Sequence, residues 1–213
     1  MQDVKDLVRR VFEDNLKFSS DRAGRINELR GGQNPPITAI FCSDSRVNEQ
    51  MLLSEPLGNL FAIENAGNIV YPVMGTVLYG IDHLKTPLLL IVGHTECGAV
   101  YAAMGSANLP EDLLPVRRVV EKYSSEAPSD RKKANAFFAE KNVDEQIEWL
   151  LQREDVKKLV ENGLKIVGMI YVIEPVIEGD VPGRLRVINV NGKKDGEGIR
   201  RLLGDVPVGR LSS

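Results

Sequence analysis

Leu88-Leu89-Leu90-Ile91-Val92-Gly93-His94-Thr95-Glu96-Cys97-Gly98 is the stretch that decides the fold. Five apolar residues follow Pro87, a run the length of a strand and too short for a buried helix. The chain then passes through Gly93, and the pattern predicts a helix from near Thr95 through Ala103. A strand that feeds directly into a helix is half of a β-α-β unit. The same grammar recurs on both sides. Ile37 to Phe41 is an apolar run behind Pro35-Pro36, Leu60 to Ile63 a second, residues 164 to 173 a fourth strand and Arg184 to Ile188 a fifth. Between them the spacing predicts helices over 48–54, over 73–85 and over 110–162. In the last of these Val143, Ile147, Leu150 and Leu151 make one apolar face, Val156, Leu159 and Val160 the next, and Asn162-Gly163 the stop. Strands alternating with helices imply right-handed crossovers and a parallel sheet covered on both faces. The fifth strand follows the fourth after only ~10 residues, which suits an antiparallel edge. The expected fold is therefore α/β: a mostly parallel central sheet of four strands plus an antiparallel edge strand, with helices on both faces. Upstream, Val4, Leu7, Val8, Val11 and Phe12 recur at helical spacing and predict an amphipathic helix over 3–17, part of a helical arm covering about 1–34. No linker composition divides the chain, so 1–213 is expected to be a single domain.

Composition narrows the function classes. The chain is 43% hydrophobic with formal net charge −3, acids and bases interspersed, so no basic surface for nucleic acid is expected. No apolar run approaches the ~18 residues of a membrane span, and the charged start Met-Gln-Asp-Val-Lys-Asp lacks a secretion core. A cytoplasmic protein is expected. With only two cysteines a disulfide scaffold is excluded, and in a reducing compartment the pair suits metal binding or catalysis.

Cys42 follows the first strand, His94 the third, and Cys97 comes three residues later at a helix start. Ligands in open α/β sheets bind beyond the carboxyl ends of the strands, so the three side chains converge on the expected functional edge. Two thiolates and an imidazole suit zinc, and three protein ligands leave the open position a catalytic zinc needs. The helix dipole favours Cys97 as thiolate. Read alone, H-x-x-C is also compatible with two cysteines that are merely small buried hydrophobes; His83, mid-helix, reads as a surface or packing histidine. Asp44 and Arg46 stand two and four residues after Cys42. Arg46 can hold the carboxylate ionised through two parallel hydrogen bonds, although the pair alone is equally an ordinary loop ion pair.

Cys42-Ser43-Asp44-Ser45-Arg46, Asn65-Ala66-Gly67-Asn68 and Gly93-His94-Thr95-Glu96-Cys97-Gly98, in that order and spacing, closely resemble the signature of β-class carbonic anhydrases. The resemblance is strongest from about Gln33 to Tyr101 and continues more weakly to Ile173. It implies hydration of carbon dioxide to bicarbonate by attack of a zinc-bound hydroxide, with Asp44 and Arg46 as the catalytic pair. It further implies substrate contacts from Gln33, Phe61, Ala66, Tyr79 and the N–H of Gly98, and a homodimer or larger homo-oligomer in which Gln33 and Tyr79 reach the neighbour's site. Related folds hydrolyse carbonyl sulfide or carbon disulfide, and nothing in the sequence selects between these substrates. A non-catalytic zinc-binding protein is disfavoured by intact Asp44, Arg46 and Gln33, a thiol redox protein by the absence of C-x-x-C. Two departures stand out. Glu64 and Ala39 replace the arginine and tryptophan that hold an inhibitory bicarbonate in some members. Glu174-Pro175 through Gly183 departs from the usual pattern and puts the hairpin between the last two strands in question.

Overall fold

The computed structural model describes residues 3–106 and 108–211. They fall into two compact units, Met1–Asn34 and Pro35–Ser213. In the first, α1 (Val4–Asp21) starts at an Asp3 N-cap that accepts from Lys5 N–H, and α2 (Ala23–Glu28) follows it. α1 exceeds the expected 3–17, and neither helix has a buried residue. The apolar residues of α1 lie open, Val11 and Phe12 about two-thirds exposed at 66% and 67%.

The second unit is built on five strands, β1 (Ile37–Cys42), β2 (Leu60–Asn65), β3 (Leu88–His94), β4 (Lys165–Tyr171) and β5 (Leu185–Val190). Their order is β2-β1-β3-β4-β5. The first four are mutually parallel and β5 is antiparallel to β4, as expected. Alternation along each strand splits the core in two. Ile40, Leu89, Ile91, Ile166 and Ile170 join one cluster, whereas Ala39, Phe41, Leu90, Val92 and Val167 join the other. The first is covered by α3 (Met74–Leu78), α4 (Gly98–Met104), α5 (Leu114–Lys122), α6 (Arg131–Leu151) and α7 (Glu154–Glu161); the second by α8 (Gly196–Leu203) and the turn at Met51 and Leu52.

Several expected elements take other forms. The segment 48–54 is a single 3-10 turn, Glu49–Met51, capped by Asn48. The segment 73–85 is α3 followed by a π turn, Tyr79–His83. The stretch 110–162 is a 3-10 turn, Glu111–Leu113, followed by three α-helices. Asp130 caps α6 by accepting from Lys133 N–H, and α7 begins after Gln152 and Arg153. The hairpin between β4 and β5 does form. Asp180 accepts from the N–H groups of Val176 and Ile177 and from Arg186 Nε, and Gly179 and Gly183 supply left-handed turns at φ 86° and 83°. α8 has no counterpart in the sequence reading.

α6 positions everything else. Ala139, Val143 and Ile147 lie over β3 and β4 at Gly93 and Gly168, where a Cβ would come within 2.9 Å and 2.7 Å of Val143. Only glycine admits so close a helix.

Candidate metal centre

The carboxyl ends of the parallel strands gather the predicted ligands. Cys42 closes β1 and His94 closes β3, two residues later than the predicted strand end. Cys97 is the N-cap of α4. All three are buried, and one ligand atom from each lies within 4.8 Å of the others, the one such metal-ligating group among the described residues. His94 Nδ1 lies 3.0 Å from the Thr95 carbonyl, which can only accept, so Nδ1 carries the proton and Nε2 keeps its lone pair. Nε2 is buried with no hydrogen-bond partner. An orphaned buried acceptor beside two thiols fits a bound cation. Both cysteines are free. The Cys42 thiol is pushed down, first by the hydrogen bond with Cys97, against the opposing effect of burial, and then by His94 and the Gly67 N–H; Cys97 is pushed up by Cys42 and by burial. Two cysteine sulfurs crowded beside a free imidazole lone pair are a natural place for a divalent metal.

Arg46 grips Asp44 through Nε to Oδ1 at 2.8 Å and Nη2 to Oδ2 at 2.7 Å, and Arg46 N–H adds a third bond to Oδ1. These bonds hold the carboxyl at about 2. Arg46 Nη2 also donates to the carbonyl of Glu96 at 2.8 Å. Glu96 sits in the left-handed region at φ 60°, and its carboxylate accepts from Tyr101 Oη at 2.6 Å. Burial, followed by that carboxylate, pushes the Tyr101 phenol up to about 12.

The predicted substrate residues scatter more widely. Phe61 and Tyr79 pack ring on ring at 5.7 Å, and Tyr79 stacks on His83 at 4.6 Å. Ala66 is exposed in the turn after β2. Gly98 is the first residue of α4, with open space where a Cβ would stand. Gln33 lies exposed in the N-terminal unit.

The sequence reading missed the residues that fasten these loops. Asn135 Oδ1 accepts from Cys97 N–H and its Nδ2 donates to the Cys97 carbonyl, each at 2.9 Å. Asn142 Nδ2 donates to the Gly67 carbonyl at 2.8 Å, while Gly67 N–H points at Cys42 Sγ at 3.3 Å. Gln146 donates to Asn142 and accepts from Val70 N–H. The available signal was three carboxamides at i, i+7 and i+11, one face of a helix otherwise read only for its apolar residues.

Comparison with known proteins agrees with this architecture. The family model for carbonic anhydrase matches residues 37–178. Carbonic anhydrase 2 of Mycobacterium tuberculosis is 30% identical over 155 residues, covering 68% of this chain and 74% of its own. Among solved structures, one from a study of two tetrameric β-carbonic anhydrases of Sordaria macrospora aligns with TM-score 0.76 at 26% identity, covering 86% of this chain and 97% of its own. The β-carbonic anhydrase CafA of Aspergillus fumigatus gives 0.74 at 29%, covering 93% and 96%. With its sheet order, its ligand trio at the strand ends and these relatives in agreement, the chain belongs to the β-carbonic anhydrase family.

Proposed function

We propose that this chain catalyses reversible hydration of carbon dioxide to bicarbonate and a proton, with zinc held by Cys42 Sγ, His94 Nε2 and Cys97 Sγ. The observation that supports it most is the convergence of those buried donors within 4.8 Å. When bound, zinc would supply Lewis acidity that lowers the pKa of water from 15.7 toward about 7. Asp44, kept ionised by Arg46, can only accept hydrogen bonds. It accepts a hydrogen bond from the O–H of the attacking oxygen, turns that oxygen's lone pair toward the substrate, and disfavours ligands with no proton to donate. Arg46 is a positioning residue: its further bond, from Nη2 to the Glu96 carbonyl, ties the carboxylate to the loop that carries Cys97. Phe61, Tyr79 and Ala66 offer apolar surface to carbon dioxide, and the Gly98 N–H and the Gln33 amide offer donors to bicarbonate. Glu64 is exposed and its carboxyl is pushed up by partial burial and then by Glu49. An acid there opposes an anion, so no inhibitory bicarbonate site is assigned.

A second copy of the chain completes the reading. The exposed apolar row Val4, Leu7, Val8, Val11 and Phe12 on α1 is a helix face that needs cover. A homodimer or larger homo-oligomer provides it, with Gln33 and Tyr79 serving the neighbour's site. No described helix is long and apolar enough to cross a membrane. A cytoplasmic location is proposed from the two free cysteines.

Stopped-flow hydration of carbon dioxide, run beside hydrolysis of carbonyl sulfide on one preparation, tests the function. Chelator-sensitive hydration that exceeds the sulfide reaction is expected. Zinc-loaded protein inactive toward carbon dioxide would overturn the proposal, and faster carbonyl sulfide turnover would reassign the substrate.

A further inference from the structure

α6 buries three neutral amides where apolar side chains would pack more cheaply: Asn135, Asn142 and Gln146 are 0%, 1% and 7% exposed. An unpaired buried amide costs about 1–3 kcal/mol, and all three find partners, Asn135 in the loop that carries Cys97, Asn142 and Gln146 in the turn after β2 whose Gly67 N–H meets Cys42. Asn135 holds the N–H and carbonyl of Cys97. Gly67 is pinned from both sides, its carbonyl on Asn142 and its N–H on Cys42 Sγ. Gln146 supports Asn142 and ties the same turn down at Val70. At φ 79°, with Val116 and Ala99 close to where a Cβ would stand, Gly67 has little room to reorient. Asn65 closes the turn from within, accepting from Ile69 N–H and donating to the Ile69 carbonyl.

We propose that these amides form a neutral clamp that sets the position and donor strength of both thiolate ligands, Asn135 through the main chain of Cys97 and Asn142, supported by Gln146, through the Gly67 N–H on Cys42. An amide offers a donor and an acceptor without charge, whereas a carboxylate at the same place would repel two thiolates. An N–H···S hydrogen bond withdraws electron density from the sulfur. It therefore offsets the tendency of thiolates to weaken the metal's acidity. Asn135, Asn142 and Gln146 are positioning residues, since none touches the metal or substrate. The inference rests on a metal at Cys42, His94 and Cys97.

Cobalt(II) in place of zinc gives a spectroscopic readout, because the sulfur-to-cobalt charge-transfer band follows the electron density on sulfur. Asn142→Leu, close in size and without polar atoms, is expected to move that band to longer wavelength and to speed metal loss to excess chelator about tenfold. Gln146→Leu should shift both the same way by less, and it carries the test if Asn142→Leu does not fold. Glu140→Ala, on the opposite face of α6, should leave the band where it is. Folded amide variants with lowered stability but an unchanged band and unchanged metal loss would overturn the clamp. Wild-type protein that binds no cobalt would overturn the metal reading itself.

Discussion

α6 presents two polar faces that contrast in charge and in what they hold. At about 100° per residue, Asn135, Asn142 and Gln146 share one side and Glu140, Asp144 and Glu148 the other, with Ala139, Val143 and Ile147 between them over the sheet. The amide face grips the loops of the metal centre. The acidic face grips the end of the chain. Glu140 pairs with Arg186 at 2.8 Å and accepts from Leu211 N–H. Asp144 pairs with Arg210 at 2.6 Å and accepts from Asn189. Glu148 pairs with Lys194 at 2.5 Å. Charge is spent where the task is to staple β5 and the tail, and withheld where two thiolates must lie side by side. The charged pair next to the ligands, Asp44 with Arg46, stands off α6 on a half-open rim, Arg46 being 48% exposed.

The contrast is broken most forcefully at Glu140. Glu140→Ala leaves buried Arg186 with Asp180 as its remaining carboxylate partner, and removing one member of a buried ion pair costs up to about 3–5 kcal/mol. Urea unfolding of the zinc-loaded protein should show that loss while zinc dissociation stays at the wild-type rate. Accelerated zinc loss would mean that the two faces are not separate in function. Gly168→Ala attacks the stripe between them. Its Cβ would come within 2.7 Å of Val143 and 2.8 Å of Ile147. Overpacking of this kind costs about 1–3 kcal/mol, and because α6 must lift as a body, zinc loss should quicken as well. Destabilisation with no change in zinc loss would count against the helix as a shared frame.

The rim pair should contribute least, about 0.5–1 kcal/mol, because Arg46 is half in solvent. The pH dependence has a definite sign. Asp44 is lowered from 3.8 to about 2, chiefly by Arg46, so the stabilisation is fully present above about pH 4 and fades as pH falls toward 2. Arg46→Met should therefore differ from wild type in urea midpoint at pH 6, and the difference should shrink as the pH is lowered through 3 toward 2. A difference that persists or grows on acidification would place the stabilisation elsewhere than in the ionised Asp44.

Much of this was readable before the structure. Short apolar runs behind Pro36 and Pro87 located β1 and β3, and from their ends the convergence of Cys42, His94 and Cys97 follows, because parallel strands deliver their carboxyl ends to one edge. Boundaries were less legible where tertiary packing overrides local pattern. β3 extends through Gly93 to His94 because a glycine there lets α6 press on the sheet, an arrangement visible only once the helix is in place. The polar stretch 123–130 looked continuous with its flanking helices, yet Asp130 caps a new one. α8 carries few apolar residues and is anchored mainly by Ile199, too little to register as a pattern. The amides of α6 were legible as residues but not as contacts: their partners lie 38 to 76 positions away, and spacing within a helix does not reveal what faces it.

The central claim is that the strand-end trio holds the metal on which activity depends. The most direct test is zinc content, measured together with carbon dioxide hydration, for wild type and for the Cys42→Ser, Cys97→Ser double variant. The account predicts about one zinc per wild-type chain, and in the double variant the loss of zinc and activity together. Full zinc occupancy in the double variant, or undiminished hydration without zinc, would contradict it.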